Sequence, residues 1–214
     1  PEGSPITNNV PIDPGTNPPN EKVEISREEI RFLADVAARP LSTTVSRYQR
    51  LNLSRRKGNA IRQHLDRTGL IEAVTLATRS GQVVLYQLTE AGCALCRDAG
   101  IDPGTKPRAS LEHRYWTRQA YAHFENKGYQ MTAEYHIDGN GAVDLLGERP
   151  GERIAVEVET GKSDIKNNLA KVRDAGFDRI VLVATSPVAV GTCQKALADA
   201  GLGMPVQLMT WLDL

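Results

Sequence analysis

The first half of the chain alternates apolar residues at helical spacing with polar turns. Ser26 and Glu29 stand three residues apart, as in a capping box, and Ile30, Leu33 and Ala37 then fall on one helical face. This spacing predicts a first helix. The same reasoning predicts, in order, a short helix over 42–50, a third helix over 54–68, two strands over 70–77 and 82–88 joined by a hairpin turn, and a last helix over 89–99.

From residue 110 onward the pattern is typical of an α/β unit. A continuous apolar run over 180–184 predicts a strand that is buried on both faces, as in a parallel sheet. The predicted elements are a helix over 110–127, strands over 129–137, 142–146 and 153–160, a helix from residue 163, the strand over 180–184, a helix around 190–200 and a strand over 206–209. Their order is αβββαβαβ.

Two stretches rich in turn-forming residues flank the first folded unit. Residues 1–24 are rich in proline and poor in large apolar side chains, which predicts a disordered linker or tail. A second break at 100–107 predicts an interdomain connection. We therefore expect two domains, over 25–100 and 108–214. Because the chain opens with Pro1 rather than Met, we also expect a processed product or a fragment of a longer protein.

Composition narrows the class of protein. Hydrophobic residues make up 40% of the chain and charged residues 24%, which is ordinary for a soluble globular protein. No apolar run approaches the ~20 residues that span a bilayer, so we expect no membrane contact. Three cysteines form no disulfide framework, which favours a reducing cytoplasm. The phosphate-binding loop typical of nucleotide hydrolases is absent from the sequence.

The formal net charge of zero conceals a local excess of bases. Residues 39–67 hold eight Lys and Arg against a single acid, Asp66. Such a stretch indicates a surface that faces a polyanion. Arg and Asn side chains can also pair with guanine and adenine edges in the major groove. The residues that we expect to contact DNA are Arg47, Arg50, Ser54, Arg55, Arg56, Lys57, Asn59, Arg62 and Arg79.

The sequence around the third helix and the hairpin resembles small bacterial and archaeal winged-helix regulators. The residues that carry the resemblance are Gly69-Leu70-Ile71 after the third helix and Tyr86-Gln87-Leu88-Thr89-Glu90-Ala91-Gly92 at the end of the hairpin. The resemblance covers about residues 25–99. It implies that the third helix enters the major groove and that Arg79 lies at the tip of the wing. The alternative is a winged helix that contacts protein and has a solvated basic face.

Acidic residues follow a second pattern in the α/β unit. Asp144 lies in Val143-Asp144-Leu145-Leu146, and Glu157-Val158-Glu159 follows after 12 intervening residues. Strand alternation puts Glu157 and Glu159 on the face opposite the strand's apolar side chains. Clustered carboxylates repel one another unless a cation lies between them, and such hard oxygen ligands suit Mg²⁺ or Mn²⁺. The alternative is a polar sheet face that is open to water.

This arrangement of strands and acids resembles the PD-(D/E)XK nuclease superfamily. The implied fold class is an α+β winged helix followed by an α/β restriction-endonuclease-like αβββαβ core. The resemblance implies a metal site at Asp144, Glu157 and Glu159, with Glu112 as a supporting acid. Glu159 departs from the pattern, because the superfamily usually has Lys there. We expect Lys162, or Lys166 on the next helix, to supply the missing ammonium.

The leading functional hypothesis is a metal-dependent DNA endonuclease, or nuclease-like module, that a winged helix delivers to DNA. The rival is a non-catalytic DNA-binding regulator or accessory protein whose degenerate nuclease fold contacts partners. Double-strand cutting would favour a homodimer. Residues 154–183, and Glu157-Val158-Glu159-Thr160-Gly161-Lys162 within them, are also similar to C-terminal segments of DNA-translocating ATPases of the conjugation type, so fusion to or association with such a motor is a further expectation.

Overall fold

Four helices and a β-hairpin form the N-terminal unit. The computed structural model describes residues 24–137, 141–173, 175–200 and 203–214, so the predicted tail over 1–24 lies almost entirely outside the described residues. The elements of this unit are α1 (Arg27–Ala38), α2 (Thr44–Arg50), α3 (Arg55–Arg67), β1 (Ile71–Thr78), β2 (Gly81–Leu88) and α4 (Glu90–Asp98). The predicted order of three helices, two strands and a last helix is confirmed.

Local sequence signals begin these helices as predicted. Ser26 and Glu29 form a reciprocal capping box at the start of α1, and Ser54 caps α3 by accepting a hydrogen bond from the Lys57 amide. The helices enclose one apolar cluster, which includes Phe32, Leu65 and further residues from β1, β2 and α4. Its members come from every element of the unit, so the helices and the hairpin stabilise one another through shared burial.

A five-stranded mixed sheet organises the C-terminal unit. Its elements are α5 (Leu111–Glu125), β3 (Gln130–Ile137), β4 (Gly141–Arg149), β5 (Glu152–Glu159), α6 (Ile165–Arg173), β6 (Arg179–Ala184), α7 (Pro187–Ala200) and β7 (Val206–Thr210). The strands lie in the order β3-β4-β5-β6-β7. β4 pairs antiparallel with both β3 and β5, whereas β6 pairs parallel with both β5 and β7. The predicted order αβββαβαβ is confirmed.

Helices cover both faces of this sheet, which gives three layers. Trp116 and Phe124 of α5 pack on one face, against a cluster that contains Val156 and Val158 of β5. Leu169 of α6 packs on the other face, in the cluster that contains alternate strand residues such as Ala155 and Ile180. Alternation along β5 therefore places Val156 and Val158 together on one face, as predicted, and Ala155 on the other.

The hairpin of the N-terminal unit packs against the C-terminal unit. Leu76 of β1 and Leu85 of β2 are buried, and both belong to the cluster formed by α5 and the sheet. This contact ties the two predicted domains through a shared apolar cluster. In the part of the chain that the structure describes, no helix is both long and apolar enough to cross a membrane.

Candidate functional site

Three bases occupy the exposed first turn of α3. Arg55, Arg56 and Lys57 follow the Ser54 cap directly, and all four residues are exposed. Lys57 also pairs with Glu28 of α1. The first turn of α3 holds no acid, although the helix dipole favours acids there and disfavours bases by about 0.3–1 kcal/mol each. The helix dipole therefore does not explain these three bases, of which only Lys57 has an ion-pair partner among the described residues.

A groove runs beside this turn, between α2, α3 and β2. Its volume is about 820 Å³, and Arg55, Asn59 and Arg62 line one wall because residues four and three apart share a helical face. Gln82 and Val84 of β2 line the opposite side. The structure thus brings three candidate residues, Arg55, Asn59 and Arg62, to one concave surface, whereas Ser54, Arg56 and Lys57 do not line it.

The structure corrects the prediction for Arg47. This side chain is fully buried, it pairs with Asp35 of α1, and its guanidinium lies 5.6 Å from the centre of the Phe32 ring and 5.8 Å from that of Tyr86. Burial lowers the pKa of Arg47 to about 10, although the charge of Asp35 opposes that change. A fully buried guanidinium cannot reach DNA, so Arg47 holds α2 against α1 instead.

Arg50 is engaged by the same acid. Its Nε donates to Asp35 Oδ1 at 2.6 Å and its Nη2 donates to Asp35 Oδ2 at 2.8 Å. A second donation from Nη2 reaches Ser42 Oγ at 2.8 Å. The Arg50 guanidinium, which was expected to contact DNA, is therefore held within the N-terminal unit. Because Arg47 and Arg50 both pair with Asp35, α2 offers less positive charge to a partner than its sequence indicates.

Arg79 lies at the exposed turn between β1 and β2, as predicted. The turn is close to the C-terminal segment, because the charge of Arg79 contributes to the low pKa of Asp213, after the larger effect of hydrogen bonds from Thr210. An acid near Arg79 reduces its attraction for a phosphate.

The predicted acids meet at the carboxyl edge of the parallel strands. β5 ends at Glu159, and the antiparallel β4 begins at the same edge. The first turn of α5 reaches this edge too, since Thr185, the residue after β6, donates to Glu112 Oε1 at 2.9 Å. In open α/β sheets, ligands bind outside the carboxyl ends of the strands.

Asp144 lies where β4 and β5 separate. Regular pairing between these strands ends at Leu145 and Val156, and Asp144 Oδ2 accepts a hydrogen bond from the Val158 amide at 2.8 Å. His113 Nε2 of α5 donates to the same oxygen at 3.0 Å. Burial opposes ionisation, but the hydrogen bond and charge of His113 hold the pKa of Asp144 below its usual value.

Glu157 is buried beside a lysine that the sequence analysis did not select. Lys171 Nζ of α6 lies 3.0 Å from Glu157 Oε1, so this buried oxygen is paired with an ammonium group. Burial and the negative charge of Asp144 together raise the pKa of Glu157 to about 8, against the opposing charge of Lys171. A nearby cation would favour the ionised form.

Glu159 is fully buried and hydrogen-bonded through both oxygens. Ser163 donates to one oxygen, and Asn168 Nδ2 donates to the other at 3.0 Å. Lys162 is exposed and makes no ion pair within the described ranges, whereas Lys166 pairs with Asp199 at 2.8 Å. Neither lysine that was expected to replace the missing ammonium contacts the acids.

The signal for Lys171 lies in the periodicity of α6. Asn168 and Lys171 are three residues apart, and the residues that follow each of them, Leu169 and Val172, are buried on the sheet side. Two polar side chains that flank the buried face of a helix are placed to meet polar groups on the sheet below. Nothing in the sequence indicated which strand residues would meet them.

The three predicted acids are not equally available to a divalent cation. Among the described residues, no group of three or more His, Cys, Asp or Glu side chains is arranged to hold a metal ion. Asp144 Oδ1 accepts no hydrogen bond in those ranges, and Glu157 Oε1 is buried with the Lys171 ammonium 3.0 Å away. Mg²⁺ is commonly bound by one or two carboxylates together with water. Glu159 does not fit, because Ser163 and Asn168 occupy its oxygens.

Comparison with known proteins leaves the family open. No protein-family model matches the chain, and no curated protein matches it. The solved structure of a cysteine-to-serine mutant of Lactococcus lactis ZitR is similar to 55% of this chain and 70% of that chain, at 21% identity and a TM-score of 0.33. A TM-score this low supports no inference about fold or function.

Proposed function

We propose that this chain binds duplex DNA through a winged helix-turn-helix formed by α1–α4 and the β1–β2 hairpin. The observation that carries the proposal is the exposed first turn of α3, where Arg55, Arg56 and Lys57 stand against the helix dipole. These residues would contact phosphates, and the groove behind them would face base edges. Arg62 extends the same basic surface, whereas Arg47 and Arg50 hold α1 and α2 together.

The C-terminal unit is proposed to be a nuclease-like domain of the PD-(D/E)XK type that hydrolyses DNA phosphodiesters. Support comes from the αβββαβαβ order and from the pairing of Asp144 with Glu157 at the carboxyl edge of the sheet. These two residues would hold Mg²⁺ or Mn²⁺. Such an ion, when bound, lowers the pKa of water and offsets charge on the phosphate.

The chain's own residues would prepare this site. The Val158 amide and His113 fix the Asp144 carboxylate in one orientation. Lys171 places an ammonium beside Glu157, where it would attract the phosphate and offset its charge. In this proposal Lys171 takes the part that the sequence analysis assigned to Lys162, and Glu159 stabilises the start of α6 instead of binding the ion.

A second candidate function is a non-catalytic DNA-binding accessory protein. The observation that favours it is Glu159, which occupies the position of the usual lysine and is buried among its own hydrogen-bond donors. A domain of this kind would use the sheet edge for partner contacts. A DNA-translocating ATPase of the conjugation type is the partner that the sequence similarity favours.

Supercoiled plasmid distinguishes the two functions. The protein would be incubated with the plasmid in Mg²⁺, in Mn²⁺ and in EDTA, beside the variants Asp144→Ala and Lys171→Met and the control Lys162→Ala. Nicking that requires the metal, is lost in the first two variants and is retained in the control would establish the nuclease. A linear product would indicate paired cuts by two copies.

Gel retardation of the same plasmid in EDTA supplies the second readout. Retardation without nicking in any metal would favour the accessory protein and overturn the nuclease proposal. If the protein neither retards nor nicks the plasmid, the proposed DNA binding would be overturned as well.

A further inference from the structure

The floor of the groove beside α3 is an aromatic ring that lies across a glycine. A Cβ added to Gly58 would come within 2.6–2.7 Å of three atoms of the Tyr48 ring, a distance that real Cβ atoms essentially never show. Gly58 lies inside α3, where glycine costs about 0.5–1 kcal/mol relative to alanine. The glycine therefore permits one specific contact, in which Tyr48 of α2 lies flat on α3.

This contact delivers a hydroxyl group to a side chain in the groove wall. Tyr48 Oη donates to Asn59 Oδ1 at 3.1 Å. Burial, followed by the proximity of Tyr86, raises the pKa of Tyr48 to about 12, so the hydroxyl keeps its proton and remains a donor at every ordinary pH. Asn59 is half-buried and lines the groove between Arg55 and Arg62.

The groove wall around Tyr48 is itself fixed by hydrogen bonds. Thr44 Oγ1 of α2 lies 2.9 Å from the hydroxyl of Tyr86 on β2, and it donates to the carbonyl of Val84 at 3.2 Å. α2 is thereby joined to the hairpin on one side of the groove, while Tyr48 joins it to α3 on the other. The orientation of Asn59 is set before any partner binds.

We propose that Tyr48 is a positioning residue that restricts how Asn59 reads a base in the major groove of duplex DNA. This inference rests on the proposed DNA binding. A free Asn amide reads adenine with two hydrogen bonds, one accepted by Oδ1 and one donated by Nδ2. In this protein Oδ1 faces Tyr48 on the groove floor, where one of its two lone pairs is occupied, so Nδ2 is the atom better placed to meet a base.

An amide that presents its Nδ2 donor to the groove favours bases that present acceptors. In the major groove, guanine offers N7 and O6 and thymine offers O4, whereas adenine combines one acceptor with an amino donor. Asn59 should therefore favour guanine or thymine over adenine at the base that it contacts. Loss of the Tyr48 hydroxyl should free Oδ1 and shift that preference toward adenine.

Selection from a randomised duplex library tests this assignment. The full chain would be used in EDTA, to prevent cleavage, as the wild type and as the variants Tyr48→Phe and Asn59→Ala. Thermal unfolding would accompany each selection. Tyr48→Phe retains the ring against Gly58, and Asn59→Ala alters a half-buried side chain, so both variants should remain folded.

The expected result is guanine or thymine enriched at one position by the wild type, a shift toward adenine in Tyr48→Phe, and no preference there in Asn59→Ala. One hydrogen bond corresponds to roughly two- to tenfold in relative affinity. Identical preferences in the wild type and Tyr48→Phe would overturn the assignment. If the wild type retains DNA but prefers no base at any position, the assignment of Tyr48 and Asn59 would be overturned and the proposed DNA binding would stand. If the wild type retains no DNA, both the assignment and the proposed DNA binding would be overturned.

Discussion

Removal of Asp35 should strongly destabilise the N-terminal unit. This buried carboxylate is the shared acceptor for Arg47 and Arg50, and it joins α1 to α2. We predict that Asp35→Ala lowers the free energy of unfolding by about 3–5 kcal/mol, which is the range for breaking a buried ion pair and leaving its partner uncompensated.

The structure supports a value in that range. Arg47 is fully buried, so water cannot solvate its charge once Asp35 is gone. Arg50 makes two hydrogen bonds to the same carboxylate, but its side chain is 32% exposed and would regain part of that energy from solvent. Arg39 is 58% exposed and lies 3.4 Å from Asp35, so its contribution is small.

Urea unfolding followed by circular dichroism would measure the change. Asp66→Ala is the matched control, because Asp66 is an exposed acid on α3, and it should change stability by less than about 0.5 kcal/mol. The pKa of Asp35 lies below its usual value because Arg50 and Arg47 outweigh the effect of burial. Its contribution is therefore present above the unfolded pKa of ~3.9 and is lost as the pH falls through the lower folded value. A loss below about 1 kcal/mol at pH 7 would refute the reasoning.

Three further predictions address the rest of the chain. Glu157→Gln should be more stable than the wild type at pH 9. The folded pKa of Glu157 is about 8 and the unfolded pKa is ~4.3, so the contribution of Glu157 to stability is fully present below pH ~4.3 and is lost as the pH rises through 8. Equal denaturation curves for the two proteins at pH 9 would contradict this prediction. Leu85→Ala should lower the free energy of unfolding by about 2–5 kcal/mol. It should also shift the unfolding transition followed by the fluorescence of Trp116 and Trp211, which belong to the C-terminal unit. An unshifted transition would show that the two units unfold separately. Gly58→Ala should destabilise the protein despite alanine's higher helix propensity, as thermal melting would measure; a gain in stability would show that Tyr48 moves aside freely.

Local patterns in the sequence predicted most of the fold. The capping box at Ser26 and Glu29 marked the first helix, and the alternation of Val156 and Val158 with acids assigned the faces of β5. These signals act over a few residues, where sterics and hydrogen bonding decide the outcome. The same alternation indicated that Glu157 and Glu159 would share one face of the sheet.

Contacts between distant residues were harder to predict. Arg47 stood among seven other bases, and only its burial beside Asp35, twelve residues earlier, separates it from them. Lys171 meets Glu157 because α6 crosses the sheet at a particular angle, which no periodicity specifies. The burial of Leu76 and Leu85 depends on how the hairpin approaches α5, a relation between units that the sequence does not encode locally.

Duplex binding by the first turn of α3 is the most direct test of the proposed function. Fluorescence anisotropy of a labelled duplex of about 30 base pairs would compare the wild type with Arg55→Ala/Arg56→Ala and with Arg97→Ala, an exposed arginine on α4. The double variant should bind more weakly, and the slope of log affinity against log salt should fall by about 1–2, because each lost phosphate contact releases one counterion fewer. Arg97→Ala should match the wild type. Equal affinity and equal salt dependence in all three proteins would contradict the assignment of α3 as the DNA-binding helix.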